Sequence, residues 1–324
     1  MGDWLHSLHH DEVLRFLCEG KLSTADALRL LRQTQPAGAA AKDKAAPPTT
    51  NPDALRQALA ELNLLVGLQE VKGLVREILA FVEIQNRRRQ EGLNTEPTVL
   101  HMIFKGNPGT GKTTVARILG KILHEMAVLP KGHLVEVERA DLVGEYIGHT
   151  ALKTREQVRK ALGGILFIDE AYSLARGGEK DFGKEAIDTL VKAMEDHKNQ
   201  FILILAGYRL EMEWFLQTNP GLRSRFPIHI DFVDYTLDEL LQIAELFVAE
   251  RQYKLSPGAK TKLLRILQKK VSDSEGNFGN ARLVRNLLEK AIRQQAVRLV
   301  SLTRPTREEL MLITAQDLEG RETL

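Results

Sequence analysis

The chain has 324 residues, enough for a large core and for two or three compact units. Its 43% hydrophobic and 27% charged content is that of ordinary globular proteins, and a formal net charge of +2 argues against a non-specific polyanion binder. A single cysteine, Cys18, excludes an internal disulfide framework and a cysteine-built zinc site.

The opening "MGDWLHSLHH" lacks a basic n-region and an apolar h-region, so no secretory signal is expected. The most apolar runs, "ILFI" and "FILILAG", are too short to span a bilayer. A cytoplasmic location without a membrane segment is the expectation. Residues 1–35 carry apolar side chains at helical spacing, with Ser23 and Thr24 placed to cap a second run, and are expected to form a small helical module. Residues 36–52, mostly "PAGAAAKDKAAPPTTNP", have no apolar face and are expected to be a flexible linker.

From about residue 53 one long helical pattern is expected to run to "NRRRQEGL", where Arg87, Arg88 and Arg89 are either a nucleic-acid patch or the solvated end of a helix. The period then changes. "LHMIFKG", "HLVEVER", "GGILFIDE", "FILILAGY" and "IHIDF" alternate with helical stretches, which predicts a three-layer α/β domain around a largely parallel sheet, spanning 53–235 with its N-terminal helix. Beyond Thr236 the strand patterns stop, so residues 236–324 are expected to be a helical subdomain.

Two motifs carry chemistry. "GNPGTGKTT" has Gly106, Gly111, Lys112 and Thr113 at P-loop spacing, between an apolar strand and a helix. Its glycines permit a tight loop whose N–H groups point at phosphate oxygens, reinforced by the helix N-terminus. Lys112 is placed to reach the β- and γ-phosphates, and the Thr113 hydroxyl to ligate Mg²⁺. "ILFIDE" ends an apolar strand in Asp169 and Glu170. At the carboxyl edge of the sheet, Asp169 can hold Mg²⁺ and Glu170 can polarise an attacking water. No N-K-x-D motif is present, so ATP is the expected nucleotide. Arg282 falls in the first turn of the helix opened by "FGNARLVRN", where a cation is disfavoured unless it turns outward or meets an anion.

Taken together, "GNPGTGKTT", "ILFIDEAYSL", "LAGY", "LRSRF" and "GNAR" resemble the AAA+ ATPases, and within them the CbxX/CfqX group and its sporulation branch. The resemblance covers roughly residues 60–300. It implies a sheet of order 5-1-4-3-2 with a helical lid. It also implies that Val66, Gly67 and Leu68 pack around adenine, and that Pro108, Gly109, Thr110, Gly111, Lys112, Thr113 and Thr114 hold the phosphates. Arg282 is implied as a second sensor, and Arg225, assisted by Arg223, as an arginine finger reaching a neighbouring subunit, hence a ring, most simply a hexamer. Many members carry Asn at the end of the fourth strand, where this chain has Tyr208. In "GEYIGHT" the resemblance places Tyr146, Ile147 and Gly148 on the loop that lines a central pore, gripping a polypeptide. A protein-remodelling ATPase is therefore the leading expectation. A nucleic-acid motor and a nucleotide-gated scaffold are the alternatives, and no nucleic-acid partner is expected.

Overall fold

The computed structural model describes residues 51–95, 99–146, 148–177, 181–273 and 278–318. The expected N-terminal helical module and residues 36–50 of the expected linker lie outside them, as does Ile147.

The helical pattern expected to run unbroken from residue 53 is two helices, α1 (Pro52–Leu64) and α2 (Gln69–Gln90). Asn51 caps α1, its side-chain oxygen accepting from the N–H groups of Asp53 and Ala54 at 3.1 and 3.3 Å. The break falls at Gly67 and Leu68, whose φ angles of +63° and +56° cannot belong to a continuous right-handed helix. Lys72, buried beside the break, donates to the carbonyls of Asn63 and Leu65 and so satisfies the open end of α1. Burial and the nearby Arg76 hold its ammonium below the ordinary lysine pKa. At the other end of α2, Arg87 pairs with Glu83 and all three arginines are exposed, as suits cations at a helix C-terminus.

The sheet contains β1 (Met102–Gly106), β2 (Leu134–Val137), β3 (Ile165–Ile168), β4 (Ile202–Gly207) and β5 (Ile228–Phe232). All pair in parallel in the order β2-β3-β4-β1-β5, which is the expected order read from the opposite edge. The period of two decides which helices each face receives. Met102, Phe104, Phe167, Ile204 and Phe232 pack with α1, α2 and α3 (Lys112–Glu125). Ile103, Leu166, Ile168, Leu203 and Leu205 pack on the other face, against α5 (His149–Ala161), α6 (Gly183–Asp196) and α7 (Arg209–Thr218). The short helix α4 (Arg139–Leu142), a 3₁₀ turn at Ala171–Ala175 and α8 (Pro220–Arg223) complete this side. Buried on both faces, each fully covered Ile, Leu or Phe contributes about 1.5–3 kcal/mol.

A separate core, including Leu240, Ala244, Leu263, Leu267, Val284 and Leu288, holds α9 (Leu237–Glu250), α10 (Pro257–Asp273) and α11 (Asn280–Val300) together. Strands do not stop at Thr236 as the periodicity suggested. β6 (Lys254–Leu255) pairs in parallel with β7 (Leu312–Ile313), which follows α12 (Arg307–Met311). Two-residue strands are too short to leave a period in the sequence. Gln295 secures this return by donating to the carbonyls of Leu310 and Leu312, each at 3.0 Å.

Candidate functional site

The loop from β1 to α3 owes its path to glycine at three positions. Gly109 and Gly111 have φ angles of +74° and +96°. At Gly106 a Cβ would lie 2.3 Å from the carbonyl oxygen of Phe232 on the neighbouring strand. The Thr110 hydroxyl, fully buried, donates to the Asn107 carbonyl at 2.8 Å and closes the turn. Lys112 donates to the Gly106 and Asn107 carbonyls at 2.8 and 2.9 Å. Burial lowers the Lys112 pKa and Arg282 adds to that, while Asp169, Asp234 and Glu170 oppose it. Four charged groups from elsewhere in the chain thus act on the P-loop lysine.

β3 delivers Asp169 and Glu170 to the same edge. Asp169 is half-buried, and its N–H donates to the Val137 carbonyl at 3.1 Å. Its Oδ1 accepts the Glu170 N–H at 3.0 Å. Glu170 is exposed, with a φ of +47°. Left-handed backbone is costly for a glutamate, and such strain concentrates where a side chain must be aimed.

These groups line a cavity of about 740 Å³. Val66, Leu68, Tyr235, Ile243 and Phe247 supply apolar wall, and Pro108, Gly109, Gly111, Lys112, Thr113 and Thr114 the loop. Asp169, Glu170, Tyr208 and Arg282 face it as well. Gly67 and Thr110 do not line it. Gly67 shapes the turn behind, where a Cβ would meet Glu239 Oε1 at 2.4 Å. Tyr208 precedes α7, and its ring centroid is 5.9 Å from that of Tyr172, two residues after Glu170. Tyr172 is buried under the Arg176 guanidinium, and burial with the Glu170 charge keeps its phenol protonated.

Among the described residues no group of three or more His, Cys, Asp or Glu side chains could hold a metal. The nucleotide's Mg²⁺ needs no such cage: one or two protein oxygens beside the phosphates suffice. Thr113 and Asp169 are oxygen donors on the same cavity, so the residues present fit that ion.

The remaining expected residues lie elsewhere. Arg225 precedes β5 by three residues, whereas the far end of β5, Phe232, pairs with Gly106 of the P-loop. The length of the strand therefore separates Arg225 from its own P-loop by about 15 Å or more. Arg225 donates to the Gly221 carbonyl at 2.6 Å and pairs with Glu195 of α6. Arg223 ends α8 and is exposed. Tyr146 is 65% exposed, its ring edge-on to His149 at 5.5 Å, and Gly148 turns the chain into α5 with a φ of +83°. A Cβ at Gly148 would meet nothing within 4 Å.

Four site residues escaped the sequence reading. Tyr235 lines the cavity, and its hydroxyl donates to the Thr110 carbonyl at 3.2 Å. Burial and the Glu239 charge push its phenol up to about 12. Asn107, Asp234 and Asn280 form a hydrogen-bonded cluster beside the loop. "GNAR" drew notice for Arg282, but its Asn280, two residues earlier, makes the buried contacts.

Residues 102–233 match the family described as "ATPase family associated with various cellular activities (AAA)", and residues 236–323 match "AAA lid domain". Among curated relatives, stage V sporulation protein K of Bacillus subtilis is 57% identical over 269 residues, 83% of this chain and 84% of that protein. The plasmid-borne protein CbxX of Cupriavidus necator is 45% identical, over 82% of this chain and 84% of its own length. The chloroplastic ribulose bisphosphate carboxylase/oxygenase activase of Cyanidioschyzon merolae is 44% identical, over 78% and 87%. A solved structure of a Thermotoga maritima RuvB mutant superposes with a TM-score of 0.51 at 20% identity, covering 79% of this chain and 70% of that one. That likeness concerns the fold. No helix among the described residues is long and apolar enough to cross a membrane.

Proposed function

Since the chain belongs to the AAA ATPase family, alongside the CbxX/CfxQ proteins, we propose that it hydrolyses ATP as a ring, most simply a hexamer, and uses the cycle to remodel a polypeptide. The observation that carries this reading is the position of Arg225. It stands at the sheet edge opposite its own P-loop and can complete a nucleotide site only in another copy of the chain.

Within one subunit, the N–H groups of residues 109–114 and the Lys112 ammonium would bind the phosphates, with Pro108 shaping the loop, and Val66, Leu68 and Tyr235 would enclose the base, with Gly67 setting their turn. Bound Mg²⁺, held by Thr113 and Asp169, would neutralise phosphate charge. Glu170, exposed and aimed by its left-handed backbone, would take the proton of the attacking water. Tyr208 would flank that water, where many relatives place Asn. Arg282 would read the γ-phosphate from the lid. Arg225 of the next subunit, with Arg223 beside it, would leave Glu195 and stabilise the charge developing in the transition state. Tyr146 is displayed to solvent two residues before Gly148, whose backbone is left-handed, as a polypeptide-gripping loop requires, and Ile147 between them would share that role. The likeness to stage V sporulation protein K supports a polypeptide partner that acts in sporulation.

The test is mass by light scattering on the Glu170→Gln chain, with ATP–Mg²⁺ and without nucleotide. A shift to about six subunits with ATP is expected, by analogy with trans-acting arginine fingers. Monomers or dimers under both conditions would remove the trans role of Arg225 and the pore with it.

A further inference from the structure

Three consecutive P-loop residues touch either the lid or the segment that leads from β5 into it. The Asn107 amide donates to the two Asp234 carboxylate oxygens at 3.0 and 2.9 Å. The Pro108 carbonyl accepts from Asn280 Nδ2 at 3.4 Å. The Gly109 carbonyl accepts the Ala281 N–H at 3.2 Å. Backbones approach so closely here that a Cβ on Gly109 would lie 2.5 Å from the Gly279 oxygen and 2.7 Å from the Arg282 nitrogen. Gly109 therefore serves the lid contact as well as the phosphate loop.

Asn280 is the hub of this joint. It is fully buried, and its φ is +44°. Its Nδ2 also donates to Asp234 Oδ1 at 2.7 Å and to the Phe278 carbonyl at 2.9 Å, while its Oδ1 accepts the Tyr235 N–H at 3.0 Å. Glycine would adopt this backbone at least cost, so the side chain is there for its amide. That amide joins the P-loop, the segment leaving β5 and the first turn of α11, and Arg282 lies two residues further on.

We infer that Asn280 is a positioning residue of the nucleotide site. Its amide and the Asp234 carboxylate tie residues 107–109 to α11 and so set where Arg282 stands relative to the γ-phosphate. The inference rests on the reading of Arg282 as γ-phosphate sensor. Coupling through such a joint is reciprocal: a phosphate that settles the P-loop orients the lid, and a lid turned by a neighbour alters the P-loop's affinity. A residue that merely caps α11 would change stability without changing which nucleotide the site prefers.

The experiment measures the dissociation constants of the full chain for ADP–Mg²⁺ and ATPγS–Mg²⁺, with thermal melting as a check on folding. Arg282→Ala should abolish the preference for ATPγS over ADP. Asn280→Gly keeps the left-handed backbone and deletes only the amide, and should lower that preference about tenfold, a change of about 1.4 kcal/mol. The double variant should lose no more than Arg282→Ala alone, because Asn280 acts through Arg282. Asp234→Asn, nearly isosteric, should give a smaller loss in the same direction and serves if Asn280→Gly folds poorly. An unchanged preference in Asn280→Gly or, if that chain does not fold, in Asp234→Asn overturns the proposal when Arg282→Ala has lost it, and so does an additive loss in the double variant. A preference unchanged in Arg282→Ala overturns the sensor reading itself, and the proposal with it.

Discussion

The two edges of the five-stranded sheet are built from the same strands, yet they are chemically opposite. At the carboxyl edge the backbone departs from the regular: Gly109, Gly111 and Glu170 all have positive φ, and Lys112, Asp169 and Arg282 converge on one cavity. At the amino edge His101 is buried against the rings of Phe201 and Phe226, and Arg225 is held by Glu195 and the Gly221 carbonyl. One edge is arranged to receive an anion. The other holds its cation, Arg225, against Glu195, away from its own P-loop. Under the ring proposed above, that difference makes the catalytic unit a pair of subunits meeting edge to edge.

The largest expected effect breaks that pairing. Arg225→Ala should lower kcat about 10³-fold or more, the scale of a trans arginine. Mixing that chain with Glu170→Gln subunits should restore part of the turnover, because some interfaces then hold one intact half from each; a mixture as inactive as its parents would refute a shared site. Next, Glu170→Gln alone should reduce kcat about 10²–10⁴-fold, the usual worth of a general base, with ATP affinity retained. Normal turnover, read by phosphate release, would strip Glu170 of its role. Lys112→Ala should weaken ATP binding by about ten- to a hundredfold, from the loss of charge-assisted hydrogen bonds. Calorimetric affinity equal to the parent's would contradict the phosphate contact.

The amino edge makes a prediction in pH rather than rate. The Leu203 N–H donates to His101 Nδ1 at 3.0 Å, and burial lowers the His101 pKa from 6.5 to about 4. Between those values the unfolded chain binds the proton and the folded one does not. The contribution is therefore whole above pH 6.5 and shrinks as pH falls, by about 3 kcal/mol at pH 4. His101→Asn, with an amide oxygen to accept the same N–H, should flatten that part of the profile in urea unfolding at pH 7 and pH 4. Equal slopes for the two proteins would show that His101 is not the cause. The smallest effect belongs to Gly148→Ala, which meets open space and strains only a left-handed backbone, a cost of about 1 kcal/mol readable in the melting temperature. A loss several times larger would mean that the loop packs more tightly than its exposure implies.

Much of the fold was legible because it is local. The strands that became β1 to β5 announced themselves as short apolar runs between helical stretches. "GNPGTGKTT" and "ILFIDE" carry their chemistry in contiguous letters, and the strand order followed from the family they resemble. The break between α1 and α2 was not legible, although Gly67 marks it, since the apolar period continues across Leu65 to Leu68. β6 and β7 were not legible either, being two residues long and 57 residues apart from Leu255 to Leu312.

By itself the sequence determined the class of the protein: a P-loop strand-and-helix pattern, an acid pair ending a buried strand, and a helical segment after it. Those features depend on spacing within a few residues, which a linear text preserves. Only the tertiary structure decided that Asn280 reaches 172 residues back to Pro108, that Tyr235 closes on Thr110, and that Arg225 stands at the other end of β5 from its own P-loop. Such contacts depend on which side chains meet after the core has packed. Hydrogen bonds and charges act over a few ångströms of space, and no period along the chain records that distance.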